Sequence, residues 1–358
     1  VTYCEKCDTV PEIAPPSGTL YLWPPVAHTT GKILAGAKSI KLDVEKSASV
    51  ATLSIHYSRP GLRDLIDAVS KNLLPEELGD TKALIMPGAD RPDIDDIARI
   101  TSLGAIRAAI GAEWLGDLLK ESRLNSAFQP IFAIGDLDAP YAHECLIRGA
   151  APDGSTINPG ALFDAAQSAT LLFQLDRAAR AANVRNATRA GVKGNLFINF
   201  TPSSIYDPDS CLRSTIEVVE ECNLDRGNVV FEVIETEKVR STAHLSAILE
   251  SYRASGFRVA LDDVGSGYST LNMLPELRPD IIKIDRELVD RVDHDNYKQA
   301  IVSKLIALAK QLDIEVVAEG IERQEELDFL IEYDVDYVQG FFLGRPSDAP
   351  FKPLKFAD

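Results

Sequence analysis

Eight short apolar runs between residues 128 and 342 constrain this chain more than anything else in it. They are Phe128–Ala133, Tyr141–Ile147, Leu196–Phe200, Val229–Val233, Arg258–Leu261, Ile281–Ile284, Glu315–Ala318 and Tyr337–Phe342. Each has the length and the β-branched or aromatic content of a strand. Amphipathic helical stretches lie between most of them: Ala161–Ala182, Leu245–Ser255, Asn296–Leu312 and Arg323–Tyr333. Strands that alternate with helices form parallel sheets, and eight such units close into a (β/α)8 barrel. One join does not fit the regular pattern. Gly135–Pro140 is too short for the dozen or more residues that a parallel crossover needs. The first strand is therefore expected to run antiparallel to the second, giving a modified TIM barrel.

The chain has 358 residues, more than this barrel requires. Before the barrel, a Pro-rich stretch (Pro11, Pro15, Pro16, Pro24, Pro25) leads into strand-like runs at Thr19–Trp23, Val50–His56 and Ala83–Met86. Helical patterns follow at Gly61–Lys71, Asp93–Leu103 and Glu113–Glu121, which together read as a small α/β domain. Asp93, Asp95 and Asp96 suit the first turn of a helix. The net charge of −17 is uneven, −3 over residues 1–120 and −14 beyond, which also marks a boundary near residue 120. So acidic a chain disfavours a nucleic-acid polymer as partner. No apolar run approaches ~20 residues, so no membrane span is expected. The five cysteines (4, 7, 145, 211, 222) are too few and too scattered for a disulfide framework. With no charged-then-apolar leader, a cytoplasmic location is the expectation. Cys4 and Cys7 form a lone CxxC, with His28 the nearest third ligand for a metal.

Chemistry enters where polar residues interrupt the barrel strands. Glu144 lies within or at the end of the second, Asn199 ends the third, and Glu232 and Glu235 end the fourth. Asp262 and Asp263 follow the fifth, Lys283 ends the sixth, Glu319 follows the seventh, and Gln339 lies in the eighth. Barrel active sites gather at the C-terminal ends of strands, so one rule brings all of these to one mouth. Taken singly, each has a structural reading as a helix cap, a solvated loop charge or a turn residue. Taken jointly, six carboxylates at one mouth would raise one another's pKa values, and divalent cations are the natural remedy. All-oxygen ligands favour Mg²⁺ or Mn²⁺.

At these residues the chain resembles the EAL family of cyclic di-GMP phosphodiesterases, over roughly residues 115–350. The signature stands as Glu144-Cys145-Leu146 within ECLIR, which ends at Arg148. Further stretches look like family motifs: FQPI at Phe128–Ile131, INF at Ile198–Phe200, FEVIE at Phe231–Glu235 and DDVGSGYSTL at Asp262–Leu271. The series continues with DIIKID at Asp280–Asp285, VVAEGIE at Val316–Glu322 and QGFFLGRP at Gln339–Pro346. The resemblance implies a barrel at residues 113–358 behind a small α/β domain at 1–112. It implies hydrolysis of cyclic di-GMP to linear pGpG by a two-metal in-line mechanism, with Mg²⁺ or Mn²⁺ as cofactors and Ca²⁺ inhibitory. Glu144, Asn199, Glu232 and Asp262 would ligate one metal, and Asp262 would bridge to a second held with Asp263 and Glu319. Lys283 and Gln339 would position the water and the scissile phosphate, with Glu319 as general base. Gln129, Arg148, Lys283 and Asp263 would contact substrate, and Glu235 would anchor the DDVGSGYST loop. The family also implies a homodimer through the barrel, near that loop.

Three positions depart from the family pattern. Cys145 stands for alanine, Ile234 for threonine and Val264 for phenylalanine. On a strand, Cys145 would point away from Glu144, toward the surrounding helices. The rival reading is a catalytically silent cyclic di-GMP receptor. Such proteins usually lose metal ligands, and this chain keeps them all.

Overall fold

The computed structural model describes residues 14–47, 52–88, 91–205, 207–234, 242–265 and 270–351. The expectations placed on Cys4, Cys7, Glu235 and residues 266–269 lie outside these. The chain divides into two compact units, Val1–Ser122 with Gly160–Leu172, and Arg123–Pro159 with Phe173–Asp358.

In the first unit, the described residues form an antiparallel sheet around β1 (Ser17–Trp23). The other strands are β2 (Glu45–Lys46), β3 (Leu53–Ser58), β4 (Lys82–Pro87) and β5 (Thr101–Ser102), in the spatial order β2-β3-β1-β4-β5. Helices α1 (Ala27–Ser39) and α2 (Arg59–Ser70) pack closely at Gly36, where a Cβ would sit 2.2 Å from the Ala68 carbonyl oxygen. Leu20, Leu22, Ile33, Ile55, Leu62 and Leu65 form the centre of its core. The helix expected at Asp93–Leu103 is instead a 3-10 turn at Asp95–Arg99. Asp93 accepts from the Asp95 amide and Asp96 from the Asp93 amide, and such local side-chain bonds compete with a regular helix.

The second unit is the expected barrel. Strand β6 (Leu124–Ala133) pairs antiparallel with β7 (Asp136–Ala150) on one side and with β14 (Tyr337–Val338) on the other. Between them β9 (Asn195–Phe200), β10 (Val229–Ile234), β11 (Arg258–Val264), β12 (Ile281–Ile284) and β13 (Glu315–Ala318) run parallel, closing eight strands. A two-residue strand, β8 (Thr156–Ile157), pairs antiparallel with the end of β7. The stretch expected as one helix at Ala161–Ala182 is two: Pro159–Ser168, which falls almost wholly in the first unit, and α3 (Leu172–Ala190), which falls almost wholly in the second. The break falls at Thr170, whose φ is +58°. Helices α4 (Pro208–Glu221) and α5 (Thr242–Ala254) follow β9 and β10.

Alternation along the strands sorts side chains onto two faces. Outward residues such as Phe128, Cys145, Ile198, Phe231, Leu261 and Ile284 are buried against the helices in one large cluster. Inward, each strand contributes one residue to an apolar plug: Ile131, Ala142, Phe197, Val230, Ala260, Ile281, Val317 and Tyr337.

Candidate active site

Two residues beyond each member of that plug, on the same inward face, lies one residue of a polar ring. The parallel strands and β7 advance from Ala142 to Glu144, Phe197 to Asn199, Val230 to Glu232 and Ala260 to Asp262. They continue from Ile281 to Lys283, Val317 to Glu319 and Tyr337 to Gln339. On antiparallel β6 the count reverses, from Ile131 to Gln129, and Gln129 lies opposite Glu144. The period of two therefore gathers eight of the expected site residues above one apolar floor.

Lys283 is the centre of this ring. It is only 1% exposed, and its Nζ lies 2.6 Å from Glu232 Oε1, 2.6 Å from Glu319 Oε1 and 3.0 Å from Asp262 Oδ1. Glu144 Oε2 is farther, at 3.9 Å. Glu144 is instead held by two amides: Asn199 Nδ2 donates to its Oε1 at 3.1 Å, and Gln339 Nε2 to its Oε2 at 2.8 Å. Asp285, two residues on, serves instead as the cap of a short helix, accepting from the Glu287 amide.

Asp263 reaches the site by a different route. Consecutive strand residues face opposite sides, so Asp262 and Asp263 could not both point inward on a regular strand. The β11–β12 register shifts between Leu261 and Val264, and Asp263 takes a left-handed φ of +55°. Such a bulge re-aims a side chain at the rim of a barrel. Carboxylate oxygens of Asp262, Asp263 and Glu319 then all lie within 4.8 Å of one another.

The electrostatics follow from five carboxylates around one ammonium. Burial pushes Glu319 up to about 8, reinforced by Asp262 and Glu144 and opposed by Lys283. Burial likewise raises Asp263 to about 6, helped by Asp262 and Asp285. Glu232, fully buried, is held well above the usual carboxylate range by the loss of solvent, against the pull of Lys283. Burial alone would lower Lys283, but the surrounding acids outweigh it and hold its ammonium well above the ordinary lysine value. Oε2 of Glu232 and Oε1 of Gln339 are buried without a donor. Buried acceptors lacking donors, in an all-oxygen and amide set, fit a hard divalent cation.

A cavity of about 210 Å³ opens on the ring, lined among others by Gln129, Glu144, Asp262, Lys283, Glu319 and Gln339. Arg148 is not among its lining residues. It lies on β7 opposite Asn125 and donates through Nη1 to the Ile147 carbonyl. The cavity adds residues that the sequence reading gave no role: Arg286, Glu322 and Phe341. Arg286 pairs with Glu322 at 2.8 Å, and the Arg345 guanidinium lies 4.3 Å from the centroid of the Phe341 ring. All of these follow the C-terminal ends of β12, β13 and β14, where the barrel rule directs attention.

A sequence profile of the EAL domain matches residues 112–346. The chain belongs to the EAL-domain family. Among curated members it is 34% identical over 210 residues to the probable cyclic di-GMP phosphodiesterase PdeG of Escherichia coli, covering 57% of this chain and 41% of that protein. It is 31% identical over 212 residues to the bifunctional diguanylate cyclase/cyclic di-GMP phosphodiesterase MucR of Pseudomonas aeruginosa, covering 58% of this chain and 30% of MucR. The matches thus span less than half the length of either relative. Among solved structures, the standalone versatile EAL protein of Vibrio cholerae in its c-di-GMP-bound form superposes with a TM-score of 0.58 at 29% identity, over 64% of this chain and 94% of that one. The MucR phosphodiesterase in its c-di-GMP complex gives 0.57 at 28% identity, over 66% of this chain and 96% of the other. Family membership covers the barrel and its polar ring. Among the described residues, no helix is long and apolar enough to cross a membrane.

Proposed function

We propose that this chain is a phosphodiesterase that hydrolyses cyclic di-GMP to linear pGpG with two divalent cations, Mg²⁺ or Mn²⁺. The observation that carries the reading is the polar ring with Asp263 at its rim, which together include all six expected metal ligands, alongside matched EAL relatives named for this activity. Glu144, Asn199, Glu232 and Asp262 would hold one cation, and Asp262, Asp263 and Glu319 the other. When bound, the cations would neutralise the acids, lower the pKa of an attacking water and balance charge on the attacking and leaving oxygens.

The chain's own residues would supply the rest. Lys283 brings a fixed positive charge to the place where negative charge grows on the phosphate. Glu319, raised toward neutrality, is placed to take a proton from water. Gln339 and Asn199 keep Glu144 oriented through their amide hydrogen bonds. Gln129, Arg148, Lys283 and Asp263 would contact the dinucleotide, and Glu235 would anchor the loop after the paired aspartates. The proposal includes a homodimer through the barrel near that loop, a separate domain at residues 1–112, a barrel at 113–358, and action in the cytoplasm.

The test is incubation of the purified chain with cyclic di-GMP and Mn²⁺, followed by chromatography. pGpG should accumulate, stop with EDTA, and be suppressed by Ca²⁺, whose longer bonds and looser geometry suit the site poorly. Tight binding without pGpG would leave a receptor instead.

A further inference from the structure

An ion pair buried behind the barrel wall has no part in the site described so far. Asp176 and Arg180 lie one turn apart on α3, 2% and 0% exposed, with Arg180 Nη2 3.0 Å from Asp176 Oδ2. Asp176 Oδ1 accepts a hydrogen bond from the backbone amide of Thr201 at 2.7 Å, the residue that follows the end of β9. Arg180 Nη1 donates to the Tyr252 hydroxyl on α5 at 2.9 Å and to Thr215 Oγ1 on α4 at 3.1 Å. The Tyr252 ring stacks on Phe200 at 5.0 Å and meets Phe231 edge-on at 4.5 Å. Phe200 and Phe231 are the outward neighbours of Asn199 and Glu232, so the network grips the backs of the two strands that carry them.

Stability alone does not account for such a pair. Desolvating two charges offsets most of their attraction, and well-packed apolar side chains in their place are often neutral or stabilising. What apolar side chains cannot do is hold the Thr201 amide or fix the hydroxyl of Tyr252 in one direction. We infer that Asp176 and Arg180 are positioning residues that set the ends of β9 and β10, so that Asn199 and Glu232 face one cation. The inference rests on the metal-dependent reading proposed above. It assigns the pair a role in metal affinity, acting through backbone and aromatic contacts and not through contact with the metal.

The experiment separates metal affinity from stability in the full chain. Mn²⁺ binding is measured by calorimetric titration, and unfolding by guanidinium in EDTA. The double variant Asp176→Leu/Arg180→Met strands no charge and should unfold close to wild type, yet bind Mn²⁺ about tenfold or more weakly, the scale seen when groups that orient ligands are lost. Asp176→Asn keeps an acceptor for Thr201 but leaves Arg180 unpaired. It should be the less stable of the two while binding Mn²⁺ within about threefold of wild type, well short of that scale. A purely structural pair would give no change in the Mn²⁺ affinity of folded protein. Wild-type affinity in the folded double variant overturns the inference alone, while a wild-type chain that takes up no Mn²⁺ sinks the metal reading and this inference with it. If the double variant does not fold, Tyr252→Phe decides, because it removes only the hydroxyl. Weaker Mn²⁺ binding there supports the positioning role, and unchanged binding overturns it.

Discussion

Replacing Lys283 by methionine keeps the length of the side chain and removes its charge from the centre of the ring. Three carboxylate oxygens lie within 3.0 Å of its Nζ. At an effective dielectric constant of about 20, a unit pair at 4 Å is already worth about 4 kcal/mol before desolvation. Desolvation cancels much of this, and breaking a buried pair by losing one member costs about 3–5 kcal/mol. That loss should appear in EDTA at pH 8, where the acids would otherwise ionise. Its pH dependence follows from the shifts. Glu319 is raised to about 8 in the fold, against about 4.3 for an unperturbed glutamate. The folded state therefore holds a proton that the unfolded chain has released, and stability is lost as pH climbs from the lower value through the upper one. Lys283 lowers both Glu319 and Glu232, so removing it steepens this loss. At pH 5 Glu319 is protonated in the fold, so the lysine has one acid fewer to neutralise. Guanidinium unfolding of wild type and Lys283→Met at pH 5 and pH 8, both in EDTA, should give a penalty of about 3–5 kcal/mol at pH 8 that is smaller at pH 5. A penalty independent of pH, or larger at pH 5, would refute the central place given to this lysine.

Mn²⁺ uptake should release protons between pH 6 and pH 8, because Asp263, at about 6, and Glu319, at about 8, must ionise to ligate. Calorimetry in two buffers of different ionisation enthalpy reads the release directly, and affinity should fall on acidification. Asp263→Gly keeps the φ of +55° while deleting the carboxylate, so its stability should stay within about 1 kcal/mol of wild type as pGpG formation collapses. Gly320→Ala places a Cβ 2.3 Å from Arg286 Cγ at a φ of +71°, which should cost about 1–3 kcal/mol. Arg286 Cβ lies 2.5 Å from the same point, so adding Arg286→Gly, which removes both atoms, should restore the part due to the clash, measured as the coupling in a double-mutant cycle.

The barrel and most of its site were legible because both follow from short-range periodicity. An apolar residue at 142, 197, 230, 260, 281, 317 or 337 fixes the face of the polar residue two positions on, and strand polarity fixes which end of the barrel it reaches. The short Gly135–Pro140 join likewise dictated the antiparallel first strand. What escaped the reading depends on backbone detail or on loops. The bulge that turns Asp263 inward has no sequence signature beyond two adjacent aspartates. The helix break at Thr170 carries neither glycine nor proline, the usual punctuation. The eighth strand was read through to Phe342 but pairs only at Tyr337–Val338, because the chain then turns where Gly340 passes against the Ile321 backbone. Arg286, Glu322 and Phe341 sit beyond the strands, where no period applies.

The two inward layers also explain why this ring is charged against its own stability. The apolar plug seals the barrel below, so the acids above it have solvent on one side only. That one-sided burial raises Glu232, Glu319 and Asp263, and a raised carboxylate is a standing penalty near neutral pH. The outward apolar cluster beneath the helices can carry that penalty, since its residues are almost wholly buried and contribute about 25 cal/mol per Å² of apolar surface removed from water. A cation entering the ring would remove the repulsion and the need for the extra protons together. The relief of repulsion among the acids would then add to the affinity for the ion, less the cost of displacing the protons that burial holds on Glu319 and Asp263.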